Sequence, residues 1–141
     1  QQQKVLIARA LAQESSILLL DEPTSNLDIK HQLEVVEIIR EMVAERGISA
    51  IMAVHDLNLA SKYTDRIIMM KEGRIVDQGV PSDVLTQENI RSVYGVVAEV
   101  INNNGGSPHV IPVKSLRHQK SPELGNFPSK ISQKEHAKVI A

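Results

Sequence analysis

Two short apolar runs, residues 17–20 (ILLL) and 48–54 (ISAIMAV), frame the first half of the chain. Each is bounded by polar residues, which predicts strands covered on both faces. Between them Leu33, Val36, Ile39 and Val43 recur at steps of three and four, while Glu34, Glu37, Glu41 and Glu45 keep to the other side. That spacing predicts an amphipathic helix, and Gly47 stands where a left-handed residue ends one. Strand, helix, strand over this length is a βαβ unit, so the two strands should be parallel with a right-handed crossover. Asp21 and His55 then both emerge at carboxyl ends of strands, the edge of an open α/β sheet where ligands bind.

The pattern changes further along. A short helix is expected from Leu57 to Tyr63, followed by two strands in RIIMMKEGRIVDQG that turn at Glu72-Gly73. PSDVLTQENIRSVYG predicts two short helices with Ser82 and Thr86 as caps and Gly95 as a stop. VVAEVINNNGGSPHVIPV predicts a last hairpin turning at Asn103–Gly106. At the start, QQQKVLIARALAQ has helical composition, with Val5, Leu6, Ala8, Leu11 and Ala12 able to share a face, but no cap residue opens it. A helix that begins in its own middle suggests a fragment of a longer chain.

Composition narrows the classes. The 141 residues are 42% hydrophobic, which suits one domain. Tyr63, Tyr94 and Phe127 are the only aromatic residues, so the core must be aliphatic. The absence of cysteine excludes a disulfide framework and thiolate metal sites. No apolar run approaches the roughly 20 residues that span a bilayer, and the simplest expectation is a cytosolic protein. The net charge of −1 hides an asymmetry: residues 114–141 hold six Lys/Arg against two Glu, and the remainder ten against fifteen acids. Residues 1–113 are thus expected to form the folded domain and 114–141 a polar, basic, poorly ordered tail, read as solvated linker.

The chemistry lies in ILLLDEPTSNLD, residues 17–28, where an apolar strand runs into Asp21 and Glu22. Phosphoryl transfer needs a divalent cation on the phosphate oxygens, and magnesium is held by few carboxylates and several waters. A rigid strand can hold Asp21 near such an ion, while Glu22 orients or deprotonates an attacking water. His55, at the end of the neighbouring strand, can donate a hydrogen bond to a terminal phosphate. Each residue also has a plainer role open to it: acids at a strand end cap the helix that follows, Asp28 above all, and a lone histidine is more often structural.

The motifs in order resemble the carboxy-terminal half of an ATP-binding cassette (ABC) transporter ATPase, from Gln1 to about Pro112. QQQKVLIARALA is similar to the segment closing the family signature, with Gln1 as its last residue. ILLLDEPTSNLD resembles the Walker B strand and the D-loop, MAVHDLN the switch-histidine segment, and DRIIMMKEGRIVDQG the hairpin that commonly follows. The resemblance implies an α/β fold: a partial P-loop NTPase with a parallel sheet core, followed by an antiparallel hairpin and short helices. It implies catalytic roles for Glu22 and His55, and magnesium held by Asp21 through water. It also implies a dimer-facing D-loop of Ser25, Asn26, Leu27 and Asp28. ATP and Mg2+ are the implied cofactors. A second ATPase subunit, membrane permease subunits and an upstream solute-binding protein are the implied partners, at the inner face of the cell membrane. No nucleic acid is expected.

HDLNLASKYTDRII and the ending VYGVVAEVINNNGGSPHVIPV are most similar to the iron-siderophore, haem and cobalamin importer group. The phosphate-cradling pattern G-x-x-x-x-G-K-[ST] is absent from the seven glycines. The expectation is therefore an ATPase as an intact protein, and a chain that is inactive and prone to self-association alone. An ABC-type ATPase without a membrane partner and a truncated, non-catalytic interaction module are the alternatives.

Overall fold

The computed structural model describes residues 15–102, 106–116 and 138–140. The first apolar run forms β1 (Ile17–Asp21) and the second β2 (Ser49–Val54), joined by helix α1 (Ile29–Arg46). The strands are parallel and in register from Ile17↔Ser49 to Asp21↔Ala53, as the βαβ pattern predicts. Gly47 ends α1 in the left-handed conformation with its amide on the carbonyl of Val43. The buried face of α1 is Val35, Val36, Ile39 and Met42, a stripe rotated slightly from the one predicted, with Leu33 and Val43 at its margin.

Helix α2 (Leu57–Tyr63) leads into β3 (Ile67–Lys71) and β4 (Arg74–Gly79). Glu72 and Gly73 both have positive φ, 50° and 74°, in the two-residue turn that closes this hairpin. Paired positive φ values match the right-handed twist of the flanking strands, which is why Gly occupies the second position. Then come α3 (Pro81–Val84), α4 (Gln87–Tyr94) and a separate hairpin of β5 (Val96–Ile101) and β6 (His109–Ser115). Thr86 caps α4 through the amide of Asn89, and Gly95 ends it. Ser82 does not cap: the residue before α3 is Val80, Pro81 supplies the first turn, and the Ser82 hydroxyl donates to Asp83 instead.

The five-stranded sheet has the order β1-β2-β7-β3-β4, where β7 is Lys138–Ile140. It runs antiparallel to both neighbours, meeting two residues of β2 and three of β3. The expectation of one poorly ordered tail over 114–141 thus differs at both ends. Lys114 and Ser115 continue β6, and the β-branched pair Val139-Ile140 supplies ladder partners to strands with open edges. The predicted helix at 1–13, the signature residue Gln1 and the turn residues 103–105 lie outside the described residues.

The core is aliphatic, as the scarcity of aromatics requires. Leu18, Met52 and Val54 meet Val35, Ile39 and Met42 on one side of the sheet, and Ile67, Met69, Val84, Leu85 and Ile90 continue the same cluster. Among the described residues the predicted cover on both faces of β1 is not found. Ile17, Leu19 and Ile51 point to the other side, where Leu19 is 73% exposed. Alternate side chains of a strand face opposite ways, so a run that is apolar throughout exposes one set when only one face is packed.

Candidate functional site

Parallel register brings the ends of β1 and β2 together. Asp21 is the last residue of β1 opposite Ala53, and His55 follows the last residue of β2. The chain then bends sharply at Glu22, whose φ is 49°. A non-glycine residue in this region carries a backbone cost of roughly 1–3 kcal/mol. Three hydrogen bonds hold it there. The Glu22 amide donates to the carbonyl of Ala53 (3.0 Å), and its carbonyl accepts from the Ser25 amide (3.1 Å) and hydroxyl (3.0 Å). Pro23 and Thr24 fill the centre of this turn and are buried, and proline at the second turn position pre-sets the geometry.

The bend aims the Glu22 side chain at His55, with Oε1 2.8 Å from Nε2. An ionised carboxylate only accepts, so the imidazole Nε2 carries the proton of this bond. Both side chains are partly exposed, 37% for Glu22 and 55% for His55. Exposed pairs of this kind contribute about 0–1 kcal/mol, less than the left-handed backbone costs. The side-chain pair by itself does not offset that cost; the bend is held by the bonds to Ala53 and Ser25.

The structure thus joins two of the predicted residues directly and sets Asp21 beside them at the same strand end. Asn26 (φ 59°) is exposed and Leu27 packs partly against the core. Asp28 has the capping role left open to it: its side chain accepts from the His31 amide (2.9 Å) at the start of α1 and meets His31 Nδ1 at 2.8 Å. The His31 backbone bond, then the bond to its ring, holds the Asp28 carboxyl below its ordinary 3.8. Gln32 reaches back to the carbonyl of Thr24 at 3.3 Å, tying the loop to the helix.

Sequence placed Ser25 only in the implied dimer-facing D-loop, and it did not single out Asn58 at all. Ser25 fixes the Glu22 turn, and its signal was the serine three positions after the bend. Asn58 fastens α2 to the last hairpin, and nothing local marks it, because its partner Val110 is 52 residues away.

Among the described residues no three acidic or histidine side chains gather into a metal cage. A single strand-end carboxylate, Asp21, nevertheless suits magnesium, which takes one or two carboxylates and keeps several waters. The pattern G-x-x-x-x-G-K-[ST], whose backbone amides cradle a triphosphate, does not occur in the sequence. A cleft of about 370 Å³ between α1, β2 and β3 is lined by Val36, Ile39, Ala50, Met52, Ile68 and others, and includes neither Glu22 nor His55.

No protein-family model matches the chain. Individual relatives do. An ABC transporter ATP-binding protein of Methanocaldococcus jannaschii, itself uncharacterised, is 53% identical over 111 residues, which are 79% of this chain and 43% of the relative. The ferric enterobactin transport ATP-binding protein of Escherichia coli is 42% identical over 114 residues, 80% of this chain and 42% of the relative. The chain spans less than half the length of these curated relatives. Among solved structures, a metal-chelate type ABC transporter in an inward-facing conformation shares the fold, with a TM-score of 0.70 at 24% identity over 79% of this chain and 46% of that one. A dimeric ATP-binding cassette bound to ADP and phosphate after hydrolysis matches 57% of this chain and 34% of its own, at 36% identity and a TM-score of 0.52. With the Asp21-Glu22 strand end, the His55 strand end and these relatives in agreement, the chain belongs to the ATP-binding proteins of ABC transporters and matches part of their length, fitting the carboxy-terminal half.

Proposed function

We propose that this chain carries the water-activating side of an ATPase that energises import of an iron chelate, haem or cobalamin. The observation that carries the reading is the 2.8 Å contact between Glu22 and His55 at adjacent parallel strand ends. Support for the solute class comes from relatives named for ferric enterobactin, petrobactin, cobalamin and hemin. In this reading Glu22 orients a water and accepts its proton, and His55 holds the Glu22 carboxylate until substrate arrives, then turns its Nε2 proton to the reacting phosphate. Asp21 would hold magnesium, whose charge when bound neutralises the phosphate oxygens. Ser25, Asn26, Leu27 and Asp28 face a second ATPase subunit, and Gln1 closes a signature segment. Permease subunits and a solute-binding protein complete the assembly, placing the protein on the cytoplasmic side of a membrane. No helix among the described residues is long and apolar enough to cross one.

The 141-residue chain alone is proposed to be inactive, because it lacks the phosphate cradle. Calorimetry with magnesium-ATP on this chain and on the full-length protein tests both statements. Binding is expected only by the full-length protein, whose turnover Glu22→Gln should lower by about 10²–10⁴-fold. Turnover unaffected by Glu22→Gln would overturn the assignment. Hydrolysis by the 141-residue chain, abolished by that substitution, would overturn its inactivity.

A further inference from the structure

The Glu22–His55 contact is too exposed to hold His55 in place, so its position must come from the backbone on either side. On one side β2 is held by its ladder to β1. On the other side stands α2, a helix of seven residues, too short to be stable on its own hydrogen bonds. Its first turn is fixed by Asn58 in two directions. The Asn58 amide donates to Oδ1 of Asp56, the residue next to His55, at 2.8 Å. The Asn58 side chain grips Val110 of β6 with both ends: Nδ2 donates to the Val110 carbonyl at 3.0 Å, and Oδ1 accepts from the Val110 amide at 2.7 Å.

This double bond is the pattern of a strand partner made by one side chain. Val110 is opposite Val100 in the β5–β6 ladder. The amide and carbonyl of one strand residue point to the same side, and here both go to Asn58, so the Val100–Val110 pair is of the non-hydrogen-bonded kind. A primary amide supplies a donor and an acceptor together, which neither aspartate nor leucine does. One turn later the buried Ser61 hydroxyl donates to the Pro108 carbonyl at 2.6 Å, a second fastening farther from His55.

We infer that Asn58 is a positioning residue through which the β5–β6 hairpin sets the place of His55 relative to Glu22. The inference rests on the function proposed above for the Glu22–His55 pair, but its geometric half does not need ATP. In the 141-residue chain, Asn58→Ala should shift the imidazole nitrogen resonances of His55 as strongly as Glu22→Gln does. Ser61→Ala should lower the thermal midpoint and leave those resonances in place.

In the full-length protein, Asn58→Ala should lower kcat by about 10-fold or more with KM for ATP within about twofold, because small misplacements of catalytic groups cost rate rather than binding. Val110→Pro removes the amide that Asn58 accepts from and no bond of the β5–β6 ladder, so it tests the same clamp should Asn58→Ala not fold. The double variant should lose no more rate than the worse single one, as expected for groups acting through one contact. Unchanged His55 resonances in a folded Asn58→Ala or Val110→Pro chain would overturn the inference. So would a kcat loss no greater than that of Ser61→Ala. Should Glu22→Gln leave turnover intact, the ATPase reading fails while the resonances still judge Asn58.

Discussion

Tyr94 carries a hydroxyl that is buried without a hydrogen-bond partner among the described residues. Burial pushes its pKa from 10.0 up to about 12. A buried unsatisfied polar group costs about 1–3 kcal/mol, so Tyr94→Phe should raise stability at pH 7 by about 1 kcal/mol in urea denaturation. The sign at high pH follows from linkage: the unfolded tyrosine ionises first, so the native chain loses stability as pH rises from 10 through 12. The phenylalanine variant should lack that loss, and parallel curves for the two proteins across this window would refute it. Sequence showed Tyr94 only as one of three aromatics before a helix stop. The site was more legible. Asp21, Glu22 and His55 each stand at or just past the end of an apolar strand, and parallel pairing alone brings them together. The left-handed bend at Glu22 was not legible, because glutamate is no marker of positive φ and the bonds that enforce it come from Ala53 and Ser25.

Among the described residues, side-chain caps fix the starts of α1, α2 and α4. Asp28 caps α1, and its carboxyl is held below the ordinary value by the His31 amide and ring. A depressed carboxyl adds stability that is complete above the unfolded value of 3.8 and is lost as pH falls through the folded one. Asp28→Ala should therefore lower the thermal midpoint by a few degrees at pH 7 and by less at pH 3. Asp28→Asn, which keeps an acceptor but no titrating group, should flatten that difference. Caps were partly readable beforehand: Thr86, Gly47 and Gly95 act as their chemistry suggests, and Ser82 does not. Pro81 at the first position already starts α3, which leaves the serine one residue too late to cap it.

At the scale of the molecule the sheet is covered on one face of β1 and β2 and open on the other. Ile17, Leu19 and Ile51 form a contiguous apolar strip there, with Leu19 directly opposite Ile51 in the ladder. Strips of this kind drive association. The 141-residue chain should sediment as an oligomer at micromolar concentration, and Leu19→Lys should return it to monomer with little change in thermal midpoint. A wild-type monomer would count against this. The order of the local units was legible from period and turn chemistry, since the βαβ unit and the β3–β4 hairpin join neighbours in sequence. The placement of β7 was not. It pairs residues 138–140 with strands ending at 54 and 71, and no local pattern encodes a partner so distant.

That short strand has a consequence for how fast backbone amides trade protons with water. Ser49 donates to the Ser16 carbonyl, so odd-numbered residues of β2 point their amides at β1 and even-numbered ones at the opposite edge. On that edge, among the described residues, β7 meets Ala53 and Val54 alone. Deuterium uptake along one six-residue strand should therefore alternate, slow at Ile51 and Ala53 and fast at Ala50, which has no ladder partner on that edge among the described residues. Uniformly slow uptake at all three positions would mean that another segment completes the edge in solution.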